Sequence, residues 1–141
     1  MAMARTFAGL SKCVSFQVGC LIIKDRRVIS CGYNGTPTGH VNCCDIFDRK
    51  AFSRKEHHNF ADRYEIHAEM NALLFAAREG IVVSGSTLYC TLQPCQQCLK
   101  NVVQAGVVRI VYVDEYDMAG WDAETVAFLE GSGLRLSHLA P

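Results

Sequence analysis

Two short stretches are the most informative part of this chain: His67-Ala68-Glu69 and Pro94-Cys95-Gln96-Gln97-Cys98. Together they supply one imidazole and two thiols, which are good zinc ligands, and a carboxylate two positions after the histidine. Three protein ligands leave the fourth position of a tetrahedral zinc ion open, as in catalytic sites. A structural zinc module is the alternative, but Ala68-Glu69 and Pro94, in register with the three ligands, favour a catalytic centre.

Each stretch is predicted to lie in the first turn of a helix. The first helix covers residues 67–79 and Gly80 ends it, whereas Pro94 opens a second helix that runs to about residue 105. Two cysteines three positions apart share a helix face, so both sulfurs can reach one ion. The positive dipole end and the free N–H groups of each helix lower the pKa of the thiols. The apolar stripe of the first helix is predicted to be Met70, Leu73, Leu74 and Ala77.

Glu69 is predicted to move protons instead of binding the metal. Its offset of two positions from His67 turns its side chain away from the ligand direction, toward the metal-bound water and the substrate. From there it can take a proton from the water, pass it to a ring nitrogen, and then serve a departing amine.

The rest of the pattern predicts an α/β fold, because helices alternate with buried apolar strands in the second half of the chain. Turn residues make 32–39 a loop, and irregular polar sequence is predicted to continue to residue 64. A loop of that length is usually functional. The other predicted elements are a helix over 3–11, a strand pair over 16–23 and 26–31, strands over 87–91, 107–113 and 134–136, and a helix over 121–130.

Length, charge and hydropathy restrict the class of protein. The chain has 141 residues, half of them apolar, which suits one globular domain over 1–141. No apolar run approaches the ~20 residues that span a membrane, and the N-terminus is a poor secretory signal, so a cytoplasmic location is expected. The formal net charge is zero, which favours a small substrate over a nucleic-acid polymer.

The chain contains eight cysteines, which are many for its length. Because no signal peptide is predicted, metal binding or ordinary burial is favoured over disulfide bonds. Cys20, Cys31 and Cys90 lie in apolar, strand-like runs and are predicted to be core residues.

The two stretches resemble the zinc-dependent cytidine deaminase superfamily, and the resemblance spans roughly residues 10–125. It implies a three-layer α/β/α fold with a five-stranded mixed sheet. It also implies that His67, Cys95 and Cys98 hold zinc and that Glu69 shuttles protons. The implied reaction is hydrolytic: a zinc-bound hydroxide displaces an exocyclic amine, which leaves as ammonia.

Within that superfamily, the resemblance is to the phage and bacterial deoxycytidylate deaminases, and it implies conversion of dCMP to dUMP, the precursor of thymidylate. Asn34 would hydrogen-bond the sugar, with a plain tight turn at Asn34-Gly35 as the alternative, and Ala68 would contact the substrate. Three segments carry the resemblance: Gly32-Tyr33-Asn34-Gly35-Thr36-Pro37-Thr38-Gly39, Asn42-Cys43-Cys44-Asp45 and Tyr64-Glu65-Ile66-His67-Ala68-Glu69-Met70-Asn71-Ala72.

The same resemblance implies a second, structural zinc ion with four ligands: Cys13, Cys43, His57 and Glu65. An ion could pin a long polar segment that has little core of its own. A ligand role could shift by one residue to Cys44 or His58, and burial or solvation without a metal is the other alternative.

The chain departs from the family where the 5′-phosphate of the substrate would bind. Leu10-Ser11-Lys12-Cys13 stands where many members carry an arginine before the serine or threonine. Ser11, Lys12 and Arg26 are the candidates for the phosphate contact, although each could equally be an ordinary exposed residue.

Members of this family are commonly homohexamers that dCTP activates and dTTP inhibits, and Mg²⁺ can accompany the nucleotide effector. The resemblance therefore implies a homo-oligomer with such effectors, in the host cytoplasm if the chain is phage-encoded. Phe75 and Arg78 lie on the helix after the first stretch, and Phe75 lies off its predicted apolar stripe. An interface role is predicted for both, with a core-facing aromatic as the alternative for Phe75.

Other functions share parts of this pattern. A tRNA adenosine deaminase has the same zinc motif, but it needs a basic surface for RNA, and the zero net charge and the 33–39 loop argue against it. Free cytidine or guanine deaminases are rivals within the superfamily. A catalytically inactive zinc-binding subunit is the non-enzyme alternative, and Glu69 argues against it because such a subunit has little need of that carboxylate.

Overall fold

The computed structural model of the chain describes residues 1–115 and 121–139. Over these two ranges, every helix is too short or too polar to cross a bilayer. The elements in chain order are α1 (Ala2–Ala8), β1 (Gly19–Lys24), β2 (Arg27–Tyr33), α2 (Cys43–Ile46), α3 (Arg54–Tyr64), α4 (Ala68–Arg78), β3 (Thr87–Leu92), α5 (Gln96–Gln104), β4 (Arg109–Asp114), α6 (Ala123–Ser132) and β5 (Arg135–His138).

The strands form one sheet in the order β2-β1-β3-β4-β5. β1 pairs antiparallel with β2 and β3, whereas β3, β4 and β5 are parallel. A two-residue turn joins β1 to β2, while α5 and α6 lie in the crossovers that parallel neighbours require. The predicted α/β class and five-stranded mixed sheet are therefore confirmed.

Helices cover both faces of this sheet. Cys20, Cys90 and Tyr112 are partner positions on adjacent strands, and they share the main core with residues of α4, α5 and α6. The opposite face of β1 packs against α1, where Gly19 lies so close that a Cβ atom would collide with the Ala4 carbonyl oxygen. The predicted three-layer α/β/α arrangement is therefore confirmed.

β2 and β3 finish at the same end of the sheet, and the candidate site lies at this end. β3 ends at Leu92, and Pro94 leads directly into α5. β2 ends at Tyr33, whose partner Gly19 donates its N–H to the Thr91 hydroxyl of β3 at 3.1 Å. The loop after β2 and the start of α5 are therefore brought to one end of the sheet.

α4 is held against β2 at this end of the sheet. Ser30 Oγ donates to the Ala72 carbonyl oxygen and Asn71 Nδ2 donates to the Tyr33 carbonyl oxygen, each at 2.6 Å. Between them, Gly32 leaves no room for a Cβ atom, so the strand and the helix touch backbone to backbone. The start of α4 is thereby fixed relative to the sheet.

The prediction that residues 32–64 are irregular throughout is wrong, because α2 and α3 lie within this segment. Ser53 caps α3 by accepting a hydrogen bond from the Glu56 N–H at 3.3 Å, a serine-x-x-glutamate pattern visible in the sequence. The helix is polar and buries only His57 and Phe60, so hydrophobic periodicity does not reveal it.

The inward face of α4 also differs from the predicted stripe. Leu74 and Ala77 are exposed. Small side chains face the sheet instead, because β2 approaches the helix so closely at Gly32. The buried apolar residues of the helix are Ala68, Ala72, Leu73 and Ala76.

Smaller differences concern β1 and one cysteine. β1 begins at Gly19 and not at residue 16, because backbone groups of residues 16 and 18 bond to the Asn34 side chain. Cys20 and Cys90 are fully buried as predicted, whereas Cys31 is only partly buried.

Candidate catalytic metal centre

His67, Cys95 and Cys98 meet at the junction of α4 and α5. His67 and Cys95 are the residues that precede the two helices, so α4 begins one residue and α5 two residues later than predicted. The Nδ1 atom of His67 lies 3.5 Å from Cys95 Sγ and 3.4 Å from Cys98 Sγ. All three donor atoms lie within 4.8 Å of one another, so one ion can touch all of them.

This donor set fits zinc. Two thiolates and one imidazole are ligands that zinc prefers, and three protein ligands leave a position for water or substrate. Cys98 is buried, whereas His67 and Cys95 are exposed, so solvent reaches one side of the triad. These are properties of an open metal site and not of a closed one.

Hydrogen bonds among the three side chains shift the pKa of each one. A hydrogen bond from the Cys98 thiol lowers the pKa of Cys95 to about 4, and the His67 ring acts in the same direction. The hydrogen bond with Cys95 raises the pKa of His67 to about 9, and the same sulfur raises the pKa of Cys98. A divalent cation that binds here displaces the protons of His67 and Cys98.

Glu69 lies in the first turn of α4, beside the triad. It is 4% exposed, and burial raises the pKa of its carboxyl group, although the nearby His67 charge lowers it. Among the described residues, the donor atoms that converge here are those of the triad, and Glu69 is not one of them. A raised pKa is the direction that a carboxyl group needs to act as both acid and base in catalysis.

A second cluster unites the four residues predicted as ligands of a structural zinc ion, and their donor atoms lie within 4.8 Å of one another: Cys13, Cys43, His57 and Glu65. Cys13 Sγ lies 3.3 Å from His57 Nε2. Glu65 Oε1 is buried and has no hydrogen-bond partner in the described part of the chain. An orphaned buried carboxylate oxygen is costly, and a bound cation would satisfy it.

Aromatic rings enclose this second cluster. Phe47 and Phe52 pack on the His57 ring with centroids 5.6 and 5.2 Å away, and Phe60 packs on Phe47. Burial raises the pKa of Cys43 to about 12, so its thiol ionises at neutral pH only with a cation beside it.

Cys44 and His58, the neighbours that were alternative ligands, both lie outside the second cluster. Cys44 is exposed, with its Sγ 3.8 Å from the Asp45 carboxylate. His58 is exposed and lies 3.3 Å from the Asp62 carboxylate. The geometry therefore does not favour a shift of either ligand by one residue.

Asn34 is 7% exposed, and its side chain is bonded to the backbone of the chain. Its Oδ1 accepts from the Val18 N–H and its Nδ2 donates to the Phe16 carbonyl oxygen, both at 2.8 Å. The buried Ser11 donates its hydroxyl to the Asn34 carbonyl oxygen, also at 2.8 Å. Asn34 is thus more than a turn residue, and one amide hydrogen and one lone pair remain for a ligand.

One candidate for the phosphate contact lies in the wrong place. Arg26 is in the turn between β1 and β2, at the end of the sheet where β3 begins. The metal triad lies beyond the other end of β3, a strand of 6 residues that spans roughly 20 Å. The geometry therefore does not favour a contact between Arg26 and a substrate at the site of its own chain. Lys12, exposed beside Ser11, is the other cation among the three candidates.

Ala68 is 1% exposed and its side chain packs in the main core. It is the first residue of α4, so its N–H is one of the groups that a helix leaves without an intrahelical partner. A contact between Ala68 and a substrate can therefore come only from its backbone.

Phe75 and Arg78 lie on the exposed side of α4. Phe75 is 39% exposed, and the Arg78 guanidinium lies 5.4 Å from the centre of its ring. Leu74 beside them is 50% exposed. The alternative that Phe75 faces the core is therefore wrong, and the interface role stays a prediction.

Trp121 is a residue near the site that the sequence patterns did not identify. Its Nε1 donates to the Pro94 carbonyl oxygen at 3.0 Å, directly before Cys95. The one available signal was that it is the only tryptophan in the sequence. No local pattern connects it to a residue so far away in the chain.

The sequence is similar to proteins of a known zinc-binding family. Residues 1–114 match the family model described as "Cytidine and deoxycytidylate deaminase zinc-binding region". The chain is 38% identical over 145 residues to the deoxycytidylate deaminase of Enterobacteria phage T4, an alignment that covers 79% of this chain and 75% of the relative.

Solved structures show the same likeness. The crystal structure of dCMP deaminase from the cyanophage S-TIM5 in complex with dCMP and dUMP has a TM-score of 0.77 at 30% identity, covering 98% of this chain and 92% of that chain. A structure from work on tRNA:A34 deaminases has a TM-score of 0.57 at 17% identity, covering 99% and 92%, and shows the fold alone. From the family match over most of its length and the metal triad at its site, this chain belongs to the cytidine and deoxycytidylate deaminase family.

Proposed function

We propose that this chain is a zinc-dependent enzyme that hydrolyses dCMP to dUMP and ammonia, and so supplies dUMP for thymidylate synthesis. The observation that carries the proposal is the buried Glu69 beside three converging metal donors. The choice of dCMP as substrate rests on the relatives. The phage T4 relative is named a deoxycytidylate deaminase, and the cyanophage structure contains dCMP and dUMP.

His67, Cys95 and Cys98 would hold the zinc ion. When bound, zinc supplies a Lewis acid that lowers the pKa of water at its open position to about 7. Glu69 accepts a proton from the attacking water as the water oxygen bonds to C4 of the cytosine ring, and gives it to the ring nitrogen N3. Glu69 then moves the second water proton to the exocyclic amine, whose bond to C4 breaks, and ammonia leaves.

The sugar and phosphate would lie along the loop after β2. Asn34 would meet a sugar hydroxyl with the amide hydrogen and lone pair that its backbone bonds leave over. Lys12 and the backbone beside Ser11 would meet the 5′-phosphate, and the Ala68 N–H at the start of α4 would offer a further donor.

Steady-state kinetics with ammonia as the readout test the substrate. The panel is dCMP, deoxycytidine, CMP and an adenosine-bearing tRNA stem-loop. We expect kcat/KM for dCMP to exceed that for deoxycytidine by at least ~10³, because the nucleoside lacks the charged phosphate and leaves buried polar groups unpaired. CMP should be poorer than dCMP if the Asn34 loop excludes a 2′-hydroxyl. Faster turnover of deoxycytidine or of the RNA would overturn the assignment.

The rival functions have less support. A tRNA adenosine deaminase would need a basic surface, whereas this chain has no net charge. An inactive zinc-binding subunit would not need a buried carboxylate at the position of Glu69.

We further propose that the second cluster holds a structural zinc ion. Its support is the convergence of four donors, one of which, Glu65, has an orphaned buried oxygen. Phe47 and Phe60 form only a small separate core around it, so an ion would add much of the stability of this region.

Assembly, regulation and location are proposed from the family resemblance. The chain would form a homohexamer that dCTP activates and dTTP inhibits, with Mg²⁺ on the nucleotide effector, in the cytoplasm of its cell or host. The exposed group of Leu74, Phe75 and Arg78 on α4 supports an interface, because large apolar and aromatic side chains are usually covered.

A further inference from the structure

The Pro94 carbonyl group, directly before Cys95, is held by a side chain from a distant part of the sequence. Pro94 is fully buried, and Trp121 Nε1 donates to its carbonyl oxygen at 3.0 Å. The next carbonyl, that of Cys95, already accepts from the N–H groups of Cys98 and Leu99, both at 3.0 Å. The Pro94 carbonyl oxygen lies one residue further from α5, and the indole N–H satisfies it.

The orientation of this carbonyl group restricts the direction from which the Cys95 side chain starts. A peptide group is planar, so the Pro94 C=O and the Cys95 N–Cα bond turn together. Cys95 lies outside the helix, with φ of −74° and ψ of 163°, so no helical φ and ψ fix its position. A turn of this peptide group would move Cys95 Sγ away from His67 Nδ1, now 3.5 Å away.

Trp121 is itself supported by the last two strands of the sheet. Its ring meets Tyr112 of β4 edge to face, with centroids 5.6 Å apart. Tyr112 stacks on His138 of β5 at 5.1 Å, and the His138 ring hydrogen-bonds the Val113 carbonyl oxygen at 2.7 Å. The indole N–H therefore projects from a packed support, which restricts its direction.

We propose that Trp121 is a positioning residue for the metal ligand Cys95: its N–H holds the Pro94 carbonyl group so that the Cys95 sulfur joins His67 and Cys98 around one ion. This inference rests on the proposed function, since it assumes that the triad binds the metal. Groups that orient metal ligands through hydrogen bonds typically change metal affinity by ~10–100-fold when they are removed.

The test removes the N–H and keeps the shape of the side chain. Because Trp121 is the only tryptophan, growth with 3-benzothienylalanine replaces this one residue by an isostere with sulfur in place of the N–H. Titration with Co²⁺ gives the affinity and the thiolate-to-cobalt charge-transfer band. A Cys95→Ser reference subtracts the signal of the second cluster. We expect the isostere to bind Co²⁺ ~10-fold or more weakly, with an altered band.

Leu129→Ala is the matched control, because Leu129 is a buried residue of α6 that lowers stability when truncated but does not bond to Pro94. It should leave the cobalt affinity and band of the triad unchanged. A folded isostere with the wild-type affinity and band would overturn the inference, and so would an equal change in Leu129→Ala. A wild type whose cobalt signal does not depend on Cys95 would instead overturn the proposed metal site itself.

Discussion

The Asn34 carboxamide joins the loop after β2 to the segment before β1. Its two hydrogen bonds go to backbone groups of Val18 and Phe16, and the backbone carbonyl oxygen of Asn34 accepts the Ser11 hydroxyl. The sequence marks Asn34 as a polar residue in a turn-rich loop, but its partners cannot be read from it, because they lie 16 and 18 positions away. A residue expected only to contact the sugar thus also shapes the segment around it.

Asn34→Ala should therefore lower stability as well as activity. The change removes one hydrogen bond to the Val18 N–H and one to the Phe16 carbonyl oxygen, and each such bond typically contributes ~0.5–1.5 kcal/mol. Urea unfolding of the variant beside Asn59→Ala, a change at an exposed asparagine of α3, measures this cost. If Asn34→Ala is as stable as the wild type, the hydrogen bonds of the Asn34 side chain do not stabilise the fold.

The contact between β2 and α4 is the arrangement of elements that places His67 and Glu69. The sequence predicts both elements, yet it does not predict that they touch backbone to backbone at Gly32, because glycine is equally common in turns. The same close contact explains why alanines, and not Leu74, face the sheet.

Gly32→Ala should push α4 away from β2. The added methyl group would collide with the Ala68 carbonyl oxygen and the Ala72 N–H, at an overpacking cost of ~1–3 kcal/mol. Because α4 carries Glu69, kcat/KM for dCMP should fall as well. The matched control is Gly131→Ala in α6, where a Cβ atom meets nothing within 4 Å. Thermal unfolding and kinetics with equal values for the two variants would contradict this account of the contact.

α3 contributes His57 to the second cluster, and metal analysis tests whether this cluster binds an ion. We expect two zinc ions per wild-type chain. Cys43→Ser should lose one ion and some stability while the His67 site stays occupied, whereas Cys44→Ser, a change at the exposed neighbour, should keep both. A well-folded wild type with one ion per chain would remove the second site.

For the whole molecule, the parts of the site that are local in sequence could be predicted and the distant parts could not. The triad and Glu69 could be predicted from the sequence because ligand type and helical spacing constrain them within two short stretches. The position of Arg26 could not be predicted, because it depends on which end of the sheet the β1–β2 turn occupies. The contact of Trp121 with Pro94 joins residues 27 positions apart, which no short motif encodes.

The proposed oligomer depends on an exposed surface of α4. Leu74→Asp places a charge within the exposed group on α4 and should convert the oligomer to smaller species, because a buried unpaired charge is strongly unfavourable. Light scattering coupled to gel filtration measures the mass. Val82→Asp, at a residue that is 68% exposed after the helix, should leave the mass unchanged. A monomeric wild type would contradict the proposed hexamer.

The most direct test of the central claim is the zinc content and dCMP turnover of Glu69→Gln. Glutamine keeps the size of the side chain but cannot take up and release the proton. Because Glu69 is not among the three converging donors, we expect the His67 site to retain its zinc while activity falls by at least ~10²–10⁴-fold. Loss of zinc together with activity would show that Glu69 is a ligand, and turnover close to that of the wild type would show that it does not carry the protons.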